Sequence, residues 1–408
     1  METTTLDNGL RIVIDHRPGQ VVYCGIAVEA GTRHQTDSES GMAHFIEHMS
    51  FKGTERRRAW HILNRMESVG GDLNAYTGKE HTIYYCSTLR QHLGRALDLL
   101  FDITLHSTFP ERELEREAEV VIDEIESYND SPSELIYDDF DRLLFPRHPL
   151  GRNILGSADR LRQYRRDDLL CFTRRLYRPE RMVLFVLGDV TLRTLPLPLH
   201  VMEGNICQPD IEQPTLTTPL PQEGQEGGVT LIPKHTHQAH VVLGCQAYPM
   251  GDPHYTSLYL LNNLLGGPGM NSRLNLALRE RRGLVYTVES SMAGYTDTGL
   301  WQTYFGCDHK DVERCLRLVR TELQRLCDAP LSPSALQAAK RQLKGQVALA
   351  WENGENVAIG MGRRMLHLGT TQTLRQLCDS IDRLTAQQLL DVAQATFHPS
   401  RLLTLRYE

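Results

Sequence analysis

Long apolar runs are missing from this chain. Nowhere do 18 consecutive apolar residues occur, so no transmembrane helix and no membrane partner are expected. An excess of positive charge is missing too. Lys and Arg number 44 against 51 Asp and Glu, with the signs interspersed and a net charge of -7. That balance argues against a nucleic-acid binder, which shows a basic face. The N-terminal stretch METTTLDNGLRIVIDH has neither a basic n-region nor an apolar h-region, so no secretory leader is expected. Cysteine is scattered: nine residues, an odd number, with no CxxC spacing. This excludes a disulfide framework and a Cys-type zinc site, and reads as the reduced thiols of a cytoplasmic protein.

What is present is a globular composition, 40% hydrophobic and 23% charged, in a chain of 408 residues that is long for one domain. A single stretch interrupts it. Residues 196–228 carry Pro196, Pro198, Pro209, Pro214, Pro219 and Pro221 among Gly and polar residues, which blocks helix and central strand alike. It reads as a linker between a domain at 1–195 and a domain at 229–408. The two resemble each other. YRPERMVLFV from Tyr177 and FHPSRLLTLR from Phe397 share aromatic-x-Pro-x-Arg before an apolar run, at an offset of 220. The same offset lays Val21-Val22-Tyr23 on Val241-Val242-Leu243, which suggests a duplicated domain.

Strand-like runs cover Leu10 to Asp15, Val21 to Glu29, Thr82 to Ser87, Met182 to Leu187 and Val229 to Ile232. Helical periodicity covers about 40–51, 60–68, 93–106, 111–128 and 166–176, then 255–265, 272–281, 311–327, 333–351 and 386–396. Strands and helices do not alternate strictly. The fold class expected is α+β: two related domains, each a largely antiparallel sheet with helices packed on one face.

The sharpest local feature is His44-Phe45-Ile46-Glu47-His48. A helix starting at Ser40-Gly41 projects His44 and His48 from one face. Two imidazoles at that spacing can grip one Zn²⁺, and Glu47 beside them is placed for the metal-bound water, not for the metal. A plain amphipathic helix with surface histidines has the same pattern. A hydrolytic zinc also needs a third ligand and an open position. The acidic helix 111–128 offers Glu117 and Glu124, seven apart on one face, with Glu113, Glu115, Glu119 and Glu126 also available. Spacing alone does not choose among them.

Five segments resemble, in order and over nearly the whole chain, the pitrilysin/insulinase family of zinc metallopeptidases, near the branch of mitochondrial processing peptidase and its bacterial relatives. They are GMAHFIEHMSFKGT (41–54), MESVGGDLNAYTGKEHTIYY (66–85), EREAEVVIDEIESYNDSP (115–132), YRPERMVLFVLGD (177–189) and LGGPGMNSRLNLALRERRGLVYTVESS (265–291). The family motif is the inverted H-x-x-E-H of the inverzincins. The resemblance implies Zn²⁺ held by His44, His48 and Glu124, with Glu47 as general base. It gives Glu117 a supporting role, orienting a histidine. It makes Asn74 and Ala75 part of a substrate-binding edge, to which an extended peptide adds by main-chain hydrogen bonds. It makes Arg279 and Tyr286 a pair that holds substrate and stabilises an oxyanion.

The second half has no metal motif: at offset 220, His44 to Phe51 falls on Leu264 to Asn271, and no ligand survives. The glycines there precede no GKS or GKT, so they read as a turn and not as a phosphate loop. Larger members of the family hold four such domains, zinc in the first and the Arg/Tyr pair in the last. The resemblance therefore implies that this chain is half of a clam-shell chamber. The expected protein is a zinc endopeptidase acting on short unfolded peptides, a homodimer in which Arg279 and Tyr286 work in trans. The alternatives are a non-catalytic binding or assembly subunit, or the catalytic half of a hetero-oligomer.

Overall fold

A computed structural model describes residues 1–198 and 228–408, so nearly all of the proposed linker lies outside the described residues. The fold is mixed α+β with two sheets. The first holds β1 (Glu2–Thr5), β2 (Arg11–His16), β3 (Val21–Val28), β4 (Asp72–Thr77), β5 (Thr82–Leu89) and β6 (Met182–Gly188), in the order β1-β2-β6-β3-β5-β4. The second holds β7 (Val229–Ile232), β8 (Ala239–Ala247), β9 (Val285–Gly294), β10 (Gly299–Cys307) and β11 (Leu403–Tyr407), in the order β7-β11-β8-β10-β9. Each sheet has one parallel pairing, β2 with β6 and β7 with β11; the rest are antiparallel. With β1 set aside, the two sheets match strand for strand. The offset of 220 seen in the sequence joins β3 to β8 and β6 to β11.

Helices of the first half include α1 (Met42–Ser50), α2 (Ala59–Glu67), α3 (Leu93–Leu105), α4 (Glu111–Asn129), α5 (Pro132–Leu144), α6 (Ala158–Leu161) and α7 (Arg166–Leu176). Most of them share one core with one face of the first sheet: Phe45 and Ile46, Leu100, Val121 and Phe172 meet Ile26, Tyr84, Leu184 and Val186. All seven residues of β6 are buried. Its alternate residues Val183, Phe185 and Leu187 point away from that core, into a second cluster with Val357, Ala358, Met361 and Met365. A strand covered on both faces reads as a continuous apolar run, as MVLFVL does.

The helix that covers this opposite face, Gly354–Leu368, comes from the second half of the sequence. The reverse also holds. Helix α5, from the first half, buries Leu135, Ile136 and Phe140 against Val242, Leu403 and Leu405 of the second sheet. The compact units therefore interleave the chain. Of the described residues, one comprises 1–127, 152–198 and 350–372; the other comprises 128–151, 228–349 and 373–408. Close docking of Gly354–Leu368 depends on Gly362, where a Cβ would come within 2.3 Å of the Phe185 ring. Among the described residues, no helix is long and apolar enough to cross a membrane.

Candidate metal centre

Helix α1 starts abruptly. Gly41 has φ +84°, and a Cβ there would lie 2.6 Å from the Leu155 carbonyl oxygen, so this turn into the helix takes only glycine. The first turn is then fastened by Gln35, whose side-chain oxygen accepts the Ala43 N–H at 2.9 Å. Met42, Phe45, Ile46 and Met49 sink into the core. That leaves His44, Glu47 and His48, at helical spacing, on the one remaining face.

Helix α4 brings up the carboxylates. Leu114, Ala118, Val121 and Ile122 bury its inner side. From the adjoining stripe, Glu124 Oε2 lies 3.7 Å from His44 Nε2 and 3.6 Å from His48 Nε2. One ligating atom from each of His44, His48 and Glu124 lies within 4.8 Å of the others. Two imidazole nitrogens and one carboxylate oxygen are a donor set that zinc takes; tetrahedral bonds of 2.0–2.1 Å give ligand–ligand edges of about 3.4 Å. The residues present fit the ion. Glu124 is half-exposed, which leaves one side of the site open to a reactant.

Two turns back on α4, buried Glu117 accepts a hydrogen bond from His48 Nδ1 at 3.0 Å and an ion pair from Lys52 Nζ at 2.5 Å. With its proton on Nδ1, His48 turns a lone pair on Nε2 toward Glu124. Glu119 on the opposite side is spent on Arg162.

The titrations divide the face. Burial, with His48 alongside, drives His44 down to about 3 and keeps it neutral, the form that binds metal. Its Nδ1 is buried without a hydrogen-bond partner, so packing alone orients that ring. For His48, burial pulls downward, but the Glu117 hydrogen bond and the charges of Glu47, Glu117 and Glu124 prevail and raise it. Burial would raise Glu117, but His48 and Lys52 outweigh it and hold the carboxylate below its usual range. Glu47 is buried and pushed up to about 6 by desolvation, against the opposing pull of a Thr77 hydrogen bond and of His48. A carboxylate poised near neutrality can both take and return a proton.

Asn74 and Ala75 lie in β4, the end strand of the first sheet, which packs beside α1. Asn74 is exposed, and its side-chain oxygen accepts the Ala75 N–H at 2.8 Å. Arg279 and Tyr286 belong to the other unit. Arg279 sits in the short helix Asn275–Glu280, and Tyr286 is the second residue of β9, the end strand of the second sheet. The two are together: the guanidinium lies 5.8 Å from the centroid of the Tyr286 ring, which is 82% exposed. Sequence reasoning passed over Gln35, Lys52 and Thr77. The available signal was period two in β4, where Leu73, Ala75 and Thr77 share one face and a hydroxyl stands at the most buried position.

Residues 11–158 match the family described as insulinase, peptidase family M16, and residues 163–343 match the one described as peptidase M16 inactive domain. An uncharacterised zinc protease of Bacillus subtilis, YmxG, is 31% identical over 98% of this chain and 97% of its own length. The chain belongs to peptidase family M16. Another M16 relative is the mitochondrial-processing peptidase β subunit of Rattus norvegicus, 31% identical over 96% of this chain and 81% of its own. In fold, the chain matches a protease from Helicobacter pylori with a TM-score of 0.93 at 22% identity, over 100% of this chain and 99% of that one. Relatives named zinc proteases agree with the donor set in the first M16 region. Among the described residues the second M16 region offers no comparable group, in keeping with its description as inactive.

Proposed function

We propose that this M16 member is a zinc-dependent endopeptidase that cleaves short, unfolded peptides in a closed chamber formed with a second copy of itself. One observation carries the reading: the ligating atoms of His44, His48 and Glu124 converge, with Glu47 on the same helical face. Zinc, when bound there, supplies a Lewis acid that polarises a peptide carbonyl and acidifies water. His44, His48 and Glu124 hold it, and Glu117 keeps the His48 ring turned the right way. Glu47 takes a proton from the attacking water and delivers it to the leaving amine. The peptide lies extended along β4, held by main-chain hydrogen bonds and by Asn74 and Ala75, which makes recognition largely independent of its sequence. Arg279 and Tyr286, exposed on their own unit, serve the partner copy by gripping substrate and the developing oxyanion.

The test is metal analysis with cleavage of a quenched fluorescent peptide. The wild-type chain should hold one zinc and cleave. Glu47→Gln should keep the zinc and lose turnover by several orders of magnitude, since the amide fits but accepts no proton. Zinc retained with near wild-type cleavage would overturn the general-base role; a wild-type chain with neither zinc nor cleavage would leave the non-catalytic subunit as the better reading.

A further inference from the structure

Thr77 is the last residue of β4 and is buried at the foot of the metal-binding face. Its Oγ1 donates to Glu47 Oε2 at 2.5 Å and lies 3.2 Å from Thr82 Oγ1 across the hairpin. We infer that Thr77 is the positioning residue for the Glu47 carboxylate, engaging Oε2 so that Oε1 is the oxygen that exchanges the proton. This rests on the reading of Glu47 as general base.

Counting protons decides the direction of each bond. A hydroxyl has one proton to give. Thr82 gives its own to the Ala30 carbonyl at 2.7 Å, so it has none for Thr77. Thr77 therefore gives its proton to one of two acceptors, and the carboxylate is both nearer and more strongly basic than the Thr82 oxygen. Thr82 also meets the Tyr177 hydroxyl. From there the contacts continue from Tyr177 to Tyr84 at 3.0 Å and from Tyr84 to Ser50 at 3.1 Å. Ser50 closes the line by donating to the carbonyl of Ile46 at 2.8 Å. Ile46 is the residue beside Glu47 on α1.

Both ends of this buried line are backbone carbonyls, Ala30 and Ile46, which neither accept a proton for keeps nor pass one on. The line is no outlet. It pins the carboxylate from behind, and a proton taken by Glu47 leaves only by the face on which it arrived. That is what a shuttle between water and leaving group needs. It also ties the base to the substrate edge, since Thr77 shares β4 with Asn74 and Ala75.

The experiment uses the full chain with Thr77→Val, which keeps the shape and removes the donor, and Thr77→Ser, which keeps the donor. Zinc content, kcat and KM are measured on a quenched peptide. The valine chain should keep its zinc and its KM while kcat falls roughly 10- to 100-fold, the cost of a misplaced reacting group. The serine chain should recover most of that loss. Wild-type kcat in the valine chain, or no recovery with serine at full zinc content, overturns the inference. If Thr77→Val fails to fold, Thr77→Cys, a weaker donor of similar size, should show an intermediate kcat, and wild-type kcat there overturns it equally. The two readings separate cleanly: turnover surviving Glu47→Gln removes the general base itself, whereas loss with Glu47→Gln but not with Thr77→Val removes only the Thr77 role.

Discussion

Glu117 spends both of its oxygens inside the protein, one on His48 and one on Lys52. It reaches the metal site only through the imidazole it holds. Partners of this kind typically change metal affinity by roughly 10- to 100-fold when altered. Glu117→Gln keeps an acceptor for His48 Nδ1 but loses the charge, so the expected effect is about a tenfold weaker hold on zinc, toward the low end of that range. Chelator competition checks it; wild-type affinity would leave Glu117 a mere anchor for Lys52. The residue scale also marks what spacing can reveal. His44, Glu47 and His48 were legible because a helix turns a 44/47/48 pattern into one face. On α4, spacing left several carboxylates open, and choosing Glu124 took the family resemblance. In the fold, Glu124 meets the histidines while Glu119 turns to Arg162. Period two in β4 marks Thr77 as inward-facing, but its bond to Glu47 was not legible, because that partner is thirty residues away on another element.

Helix Gly354–Leu368 ends on a contact with the β4–β5 turn: His367 Nε2 lies 3.0 Å from His81 Nδ1. Two imidazoles share such a bond only while one offers a lone pair. Burial lowers the pKa of both. His34 and Arg363 lower both further, while Glu80 and Glu29 pull His367 the other way without prevailing. The sign follows. With folded values below the ordinary 6.5, the stabilisation is complete above that pH and is lost as pH falls, because the unfolded chain takes up protons that the folded pair refuses. Urea midpoints should therefore drop between pH 7 and pH 5, and His367→Gln should flatten that drop. An identical acid limb in the variant would assign the lability elsewhere. At this scale one part of the fold went unread. Helices α5 and Gly354–Leu368, each packed in the unit built mainly from the other half of the sequence, were not among the expected helices, although Leu135, Ile136, Phe140 and Leu144 of the first and Val357, Ala358, Met361 and Met365 of the second recur at helical spacing. Gly354, Gly360 and Gly362 weaken the helical pattern of the second, yet Gly362 is what lets it lie against Phe185.

At the scale of the whole molecule, the proposed zinc ligands His44, His48 and Glu124 and the Arg279/Tyr286 pair sit in different units of one chain. If they serve each other across a homodimer, inactive chains should complement. Random pairing of Glu47→Gln with Arg279→Ala makes half the dimers mixed, each with one complete site, so about a quarter of wild-type turnover should return. No recovery in verified mixed dimers would rule out catalysis in trans. The duplication behind this arrangement was legible from one repeated offset, because β3, β6 and their counterparts keep the same spacing. The crossing of the helices was not, since nothing local says which sheet a helix will choose. That crossing has a consequence for biosynthesis. When β6 leaves the ribosome, the first sheet has all its strands, but Val183, Phe185 and Leu187 have no cover until residues 354–368 emerge. At roughly 5–20 residues per second, that apolar face stays bare for on the order of ten seconds. The nascent chain is thus a client for whatever shields exposed sheets during synthesis, and its first domain matures only when nearly all of the polypeptide has been made.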